Sequence, residues 1–528
     1  MTNSDRETAA RSDGLRLGIV LDEPTPVWAM ELVNVLASTT GVELAAVIVG
    51  RGRARRSAVV ELFGDLDRRL FASADDPFLA SREPLPAAAV QVHVDDPSLQ
   101  VALEAAALDV LLHLGEGHPP TPLLELHVDL WWFDRGGVAP YLADLARGAP
   151  VSTTTLVARR RDGTVETDLA RWVTRADLGS WHRTQAAAYR QSTELVVKTL
   201  RNVRESRLLA PAPDARAGEA VRPGRLPRIT ARAVRRRIDW ERHEEQWGLA
   251  VRARRAGHAY PTDILGFTSI TPPAGRSWAD PFLATADTGE RYVFFEDQSH
   301  DTRKGVIACA EIDVDGLQGA PRTVLERDFH LSYPFVFKRG KEWFLLPESS
   351  ANRTVELYRA TVFPTEWEQV RVLLEDVYIL DATPFEHDGR TWIFASSETA
   401  TGHPSEATSV YWADSLLAEW HPHPLNPVVM DVRSARPAGR IISDSERLIR
   451  PAQDGSHRYG CALVFNEITE LTPTTYKERG LGRISADCLS AGTGTHHYDA
   501  DDVLEVIDVR RRVRKRSSSA RRRVSPLA

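Results

Sequence analysis

Cysteine is scarce: Cys309, Cys461 and Cys488 are the only three in 528 residues, widely spaced and without a CxxC pair. An odd, dispersed set builds neither a disulfide framework nor a thiolate metal site, and it suits a reducing compartment. Long apolar runs are also missing. No stretch of eighteen apolar residues occurs, and Met1–Gly14 is polar and charged, without the apolar centre of a signal peptide; a cytoplasmic protein is expected. The first half has no GxGxxG or GxxxxGK after an apolar run, so dinucleotide and P-loop binding are not expected, and no cofactor is.

What is present is enough apolar material for more than one core. With 42% hydrophobic residues over this length, at least two domains are expected. The net charge of −7 is unevenly laid out, because nine Arg or Lys residues fall between Arg510 and Arg523.

From Leu15 onward, short apolar runs alternate with amphipathic stretches: Leu17–Leu21, Val27–Leu36, Val42–Val49, then Val90–Val94 and Val110–Leu114 around the Ala-rich Ser98–Leu108. That rhythm predicts strand, helix, strand and a parallel α/β sheet. Residues 15–205 form one such domain, ending in an amphipathic helix over Gln185–Val203. Residues 206–261 are poor in large apolar side chains, with Pro-Ala-Pro and Arg222-Pro-Gly-Arg-Leu-Pro-Arg. They predict a linker followed by a charged helical connector, Trp240–Arg255.

Residues 262–510 change character and repeat. Ala279-Asp-Pro-Phe, Ser332-Tyr-Pro-Phe, Ala382-Thr-Pro-Phe and Ala435-Arg-Pro-Ala place their prolines 53, 50 and 53 residues apart. Each is followed by a second strand-like run, at Arg291, Glu342, Thr391 and Arg447, and a fifth unit falls near Thr495-His496-His497. A period of about 50 residues accommodates four short antiparallel strands, which predicts a five-bladed β-propeller. The residues before the prolines, Asp280, Tyr333, Thr383 and Arg436, should then line one mouth of its channel.

The second strands end in Glu296 and Asp297, Glu348, Ser396 and Ser397, and Gln453 and Asp454, while His330 and Asp381 adjoin the proline ring. Glycosyl chemistry uses a protonated carboxyl to assist the leaving oxygen and an ionised one as base or nucleophile. Asp280, Glu348 and Asp381 are the catalytic candidates. Trp278, Glu296, Asp297, His330, Tyr333, Arg436, Arg450, Gln453, Asp454 and His496 are the candidate substrate ligands. Against this stands the ordinary use of strand-end acids, to cap turns or pair with arginines, and of strand aromatics such as Trp343 and Trp392, to fill cores. His496, His497 and Asp499 lack the further spacing of a metal site, and no metal is expected. In the first half, Gly115-Glu-Gly-His-Pro-Pro follows a strand at the edge where α/β sheets bind ligands.

Trp278-Ala-Asp-Pro-Phe, His330-Leu-Ser-Tyr-Pro-Phe-Val-Phe, Pro347-Glu348, Phe363-Pro with Trp367, Asp381-Ala-Thr-Pro-Phe, His423-Pro-Leu-Asn-Pro-Val, Ala435-Arg-Pro-Ala-Gly and Arg450-Pro-Ala-Gln-Asp with Tyr459-Gly occur in order. In these the second half resembles the N-terminal domain of plant glucosamine inositolphosphorylceramide transferases, related in fold to five-bladed furanosidase-type glycoside hydrolases. The resemblance implies a carbohydrate context. In the plant enzymes a glycosyltransferase domain follows the propeller and is expected to carry the transfer; none follows here, so transfer by that route is not expected. The first half resembles the Rossmann-like formyltransferase domain. Leu130-Trp-Trp-Phe-Asp-Arg-Gly-Gly puts Trp132 and Asp134 where that family has an Asn-x-His pair, with Asp162 as the counterpart of its downstream aspartate. An acid does not replace imidazole as a base near neutrality, so formyl transfer is expected to be lost or altered.

Two readings follow. One is an enzyme that transfers or cleaves a glycosyl group on a glycoconjugate or glycosylated metabolite. The other is a non-catalytic glycan-recognition propeller on a degenerate formyltransferase-like scaffold. The basic tail, residues 511–528, is expected to be disordered and to touch anionic membranes transiently; specific nucleic-acid binding is not expected.

Overall fold

The structure is a computed structural model that describes residues 14–50, 56–88, 90–163, 165–205, 223–398, 404–485 and 492–514. Cys488 and the tail beyond Arg514 lie outside the described residues.

The first half is a seven-stranded mixed sheet flanked by helices. Its strands are β1 (Leu15–Asp22), β2 (Val42–Gly50), β3 (Val90–His93), β4 (Val110–His113), β5 (Asp129–Asp134), β6 (Val151–Arg159) and β7 (Val165–Arg175), in the spatial order β3-β2-β1-β4-β5-β6-β7. The first five run parallel; β6 and β7 turn antiparallel. The nearly continuous apolar β1, β2 and β4 are the runs read as strands, buried because helices cover both faces. The helix Val27–Ser38 and the 24-residue Trp181–Arg204 pack on one face, and Leu99–Ala106 on the other. Ser180 caps Trp181–Arg204 by accepting the Arg183 amide at 3.1 Å.

The second half is the five-bladed propeller. Four blades start at Arg276, Ser332, Ile379 and Ile442, each an antiparallel sheet in chain order. The predicted second strands are observed at Arg291–Ser299, Glu342–Ser349, Arg390–Glu398 and Arg447–Asp454. The fifth blade is composite. Leu504–Arg514 pairs along its length with His243–Ala253, which in turn pairs with Thr268–Ile270.

Three expectations change here. The connector read as helical is the strand His243–Ala253, central in its sheet; its Leu249, Ala250 and Val251 are buried, while the charged His243–Glu245 end hid the pattern. The propeller therefore begins before residue 262. Within the expected linker lies a helix, Leu226–Arg242, anchored by the buried pair Leu226 and Ile229, three apart on one face. The basic segment starts inside the fifth blade, since the last strand runs to Arg514.

The halves meet at the propeller's repeat face. Val173 of β7 donates to the Met430 carbonyl at 3.0 Å and accepts the Val432 amide at 3.1 Å, and Arg175 pairs with Glu406 at 3.1 Å. Lys198 reaches the Pro427 carbonyl; its burial pulls the amine down to about 8.

Candidate active site at the propeller centre

Around the axis, three first strands carry a residue in the left-handed region: Asp280 (φ 54°), Tyr333 (45°) and Asp381 (54°). Such a conformation costs a non-glycine residue about 1–3 kcal/mol unless its surroundings hold it. Each sits at a break in ladder register, between Ala279 and Phe282, Ser332 and Phe335, and Leu380 and Thr383. A carboxylate from the neighbouring blade holds each amide. Asp508 accepts from Asp280 at 3.4 Å, Asp280 from Tyr333 at 3.2 Å and Glu348 from Asp381 at 3.0 Å.

The third blade thus departs from the sequence repeat. The position equivalent to Asp280 and Tyr333 is Asp381, two residues before the one preceding the proline. Thr383 instead joins a buried relay in which the Gly439 amide donates to Tyr333 Oη at 2.9 Å, Tyr333 meets Thr383 Oγ1 at 2.7 Å, and Thr383 donates to the Asp381 carbonyl at 3.0 Å. In the fourth blade the repeat is reduced to a bridge between Pro437 and Ala452. Arg436 there bonds Asp381 through Nε and, at 3.3 Å, through Nη2, with Glu348 4.0 Å away. Gln453 donates to Asp381 at 3.1 Å.

These groups hold protons unequally. Burial raises Asp280, but the bond from His496 and the charges of His496, His497 and Arg436 outweigh it and hold the carboxyl down at about 2. Glu348 goes the other way: burial and the charge of Asp381 lift it to about 8, against Arg436 and the bonds from Ser350 and the Asp381 amide. Glu296 is pushed well up by burial and by Asp280 and Glu348. At neutral pH, Asp280 is ionised while Glu348 carries a proton. His330 lies 3.4 Å from Glu296 and accepts the Gly305 amide at 2.9 Å. A side chain at Gly305 would meet the Leu331 carbonyl at 2.5 Å, so glycine lets these strands close up.

His496 lies between Asp280 (3.2 Å) and Asp508 (2.8 Å). Burial opposes its charge, but the two aspartates lift it to about 10. Asp280, His496 and Asp508 bring their ligand atoms within 4.8 Å of one another, the one such trio among the described residues. With a protonated imidazole between the acids the positive charge is already supplied, and a metal ion would have to displace that proton.

The structure brings Asp280, Glu348, Asp381, Glu296, His330, Tyr333, Arg436, Gln453 and His496 together. The other candidates have different work. Trp278 is buried against Phe295, ring centres 5.1 Å apart. Arg450 is committed to Glu478 at 2.8 Å and the Ser434 carbonyl at 2.8 Å. Asp297 pairs with Arg276 at 2.6 Å, and Asp454 with Arg483 at 2.7 Å. Asp508 escaped the sequence reading, although an acid inside the apolar run Val506-Ile-Asp-Val signalled it; it also accepts the His496 and His497 amides at 2.8 and 3.1 Å. Tyr459, whose ring lies 5.1 Å from the Arg436 guanidinium, was read only as part of a motif.

In the first half, Asp134 accepts the Gly136 amide at 3.0 Å and Trp132 is buried. The Gly115 loop and the end of β1 wall a separate cavity of about 420 Å³, with Asp22, Glu116 and Tyr189.

Fold and site define a five-bladed β-propeller with a buried acidic axis. Residues 266–500 match the family described as "Glucosamine inositolphosphorylceramide transferase 1, N-terminal". Proteins named glucosamine inositolphosphorylceramide transferase 1 are similar over this region: that of Oryza sativa subsp. japonica is 35% identical over 44% of this chain and 32% of its own, and that of Arabidopsis thaliana 34% identical over 38% and 26%. The match thus spans about a third or less of those relatives. The exo-beta-1,3-galactanase 1,3Gal43A of Clostridium thermocellum aligns over 40% of this chain and 52% of its own at 12% identity and a TM-score of 0.32, a likeness that carries no functional argument.

Proposed function

We propose that the propeller centre acts on a carbohydrate, transferring or cleaving a glycosyl group on a glycoconjugate or glycosylated metabolite. The observation that carries this is the split between Asp280, held at about 2, and Glu348, lifted to about 8, on neighbouring blades. Two carboxyl groups driven apart are what acid-assisted glycosyl chemistry needs: Glu348 donates a proton to the leaving oxygen, Asp280 serves as base or nucleophile, and Asp381, clamped by Arg436, sustains the proton on Glu348. The name of the matched relatives supports a sugar substrate. Glu348→Gln should lower turnover about 10²- to 10⁴-fold while sparing binding, and the wild-type rate should fall as pH rises through about 8. Unchanged turnover in this variant sinks the catalytic reading.

A second reading has its own support. Asp280 and Glu348 each hold the amide of a left-handed residue, which is a structural task, and a propeller that only recognises glycans would need it equally. Such a protein has no turnover to lose. The resemblance of residues 15–205 to a formyltransferase remains a proposal about ancestry, with a scaffolding role and no formyl transfer. A cytoplasmic setting rests on the few, widely spaced cysteines, and anionic membrane contact on the basic tail; no described helix is long and apolar enough to cross a membrane.

A further inference from the structure

Between the two halves lies a cavity of about 680 Å³, a size usual for small-molecule sites. Its propeller side includes Arg436 and Gln453, the two side chains that bond Asp381, so it opens on the acidic centre. Its other side belongs to the first half: Arg175 at the end of β7, Arg183 and Arg190 on the helix Trp181–Arg204, and Arg236 on the helix Leu226–Arg242.

Charge is out of balance here. Six arginines line the cavity against two carboxylates, Asp177 and Glu406, and one of the six, Arg436, is already bonded to Asp381 beyond the lining. Glu406 is taken by Arg175 across the domain contact, and Arg190 is held by Asp75 at 2.6 Å. Arg183 and Arg236, from different helices, converge on the single carboxylate of Asp177, at 3.7 and 2.7 Å. Both are more than half exposed, at 56% and 58%, and Asp177 is itself fixed by the Gly179 amide at 3.0 Å. Two guanidiniums presented in advance by one acid form a fork that a phosphate can enter with several charge-assisted bonds. A neutral sugar makes no use of that surplus.

Resting on the carbohydrate reading of the centre, we propose that this cavity binds a phosphorylated sugar, with Arg183 and Arg236 on the phosphate or diphosphate oxygens and the sugar directed past Arg436 and Gln453 toward Asp381. The first half is then part of the substrate site. Its helices supply the anion contacts and the propeller supplies the groups facing the sugar.

Calorimetric titration of the full chain with glucose, glucose 1-phosphate and uridine diphosphate glucose, at low and high salt, tests this. The phosphorylated probes should bind at least tenfold tighter than glucose, and salt should shrink the preference. The double variant Arg183→Ala, Arg236→Ala should abolish the preference and leave glucose binding unchanged, while Arg183→Lys with Arg236→Lys keeps part of it. Tighter binding of uridine diphosphate glucose than of glucose 1-phosphate identifies a nucleotide sugar; equal binding identifies the phosphate alone. A phosphorylated probe that binds no better than glucose, or a preference that survives the double alanine variant, overturns the proposal. The two readings fail separately. Arginine-dependent phosphate preference without turnover of any sugar removes the catalytic reading and keeps this one; turnover of neutral glycosides without the preference does the reverse.

Discussion

The propeller centre and the crevice at the edge of the N-terminal sheet are both lined with acids, yet they handle charge differently. In the crevice, Glu116 is matched by Arg56 at 2.5 Å, and at the end of the neighbouring strand β4 His113, pushed down to about 4 by burial and then by His118 and Arg135, stays neutral. At the axis, Asp280, Glu296, Glu348 and Asp381 crowd together with fewer cations, so burial and the neighbouring acids together raise Glu296 and Glu348. Balanced pairing gives a quiet surface. Crowding gives groups poised to exchange protons, and this is the contrast on which the proposed catalytic role of the axis rests.

The sharpest test of that contrast is His496→Ala, which leaves Asp280 and Asp508 buried without their cation. A loss of about 3–5 kcal/mol in stability is expected, read from chemical denaturation; a loss under 1 kcal/mol would mean that the axis is no more strained than the crevice.

Stability should also follow pH as the axis dictates. Asp280, held at about 2, contributes stability that is complete above its ordinary 3.8 and lost as pH falls through 2. His496, lifted to about 10, contributes stability that is complete below 6.5 and lost as pH rises through 10. Glu348, lifted to about 8, penalises folding increasingly from 4.5 up to 8. The melting temperature should therefore peak between about pH 4 and 4.5, decline as Glu348 is forced to ionise above that, and decline further above 6.5 as His496 loses its proton. In His496→Gln the alkaline decline should flatten; a decline unchanged by that substitution points to other groups.

A smaller effect is expected from Tyr333→Phe. It interrupts the relay from the Gly439 amide to Thr383 and should cost about 1–2 kcal/mol, with a matching drop in melting temperature. The smallest belongs to the crevice: Arg56→Ala with Glu116→Gln should alter sugar turnover less than twofold. A larger change would show that the two regions communicate.

The repeat of Ala-Asp-Pro-Phe and its relatives made the propeller legible because strands recurring at a fixed interval leave their imprint directly on the chain. The axial residues were legible for the same reason, as positions counted from a proline. Counting failed where geometry slipped: the third blade puts Asp381 rather than Thr383 in the left-handed position, and no spacing rule reveals a two-residue shift in a bulge. Arg450 and Asp454 lie in the right strand but face Glu478 and Arg483, because pairing across a sheet depends on strands far away in sequence. The arginine cavity was illegible, since its lining comes from both halves and is defined only when they dock.

The strand His243–Ala253, flanked on one side by Leu504–Arg514, has a consequence for how the molecule is made. During synthesis it emerges about 250 residues before that partner, a delay of roughly 10–50 s at ordinary translation speeds. For that interval a buried apolar strand has no permanent neighbour on that side. The sheet of the first half is complete by then and can hold its end through the helix Leu226–Arg242, and the ring shuts in one late event. A fragment cut at the first proline repeat would lack His243–Ala253 altogether, so the propeller cannot be isolated intact without a stretch of chain that looks, by composition, like a spacer.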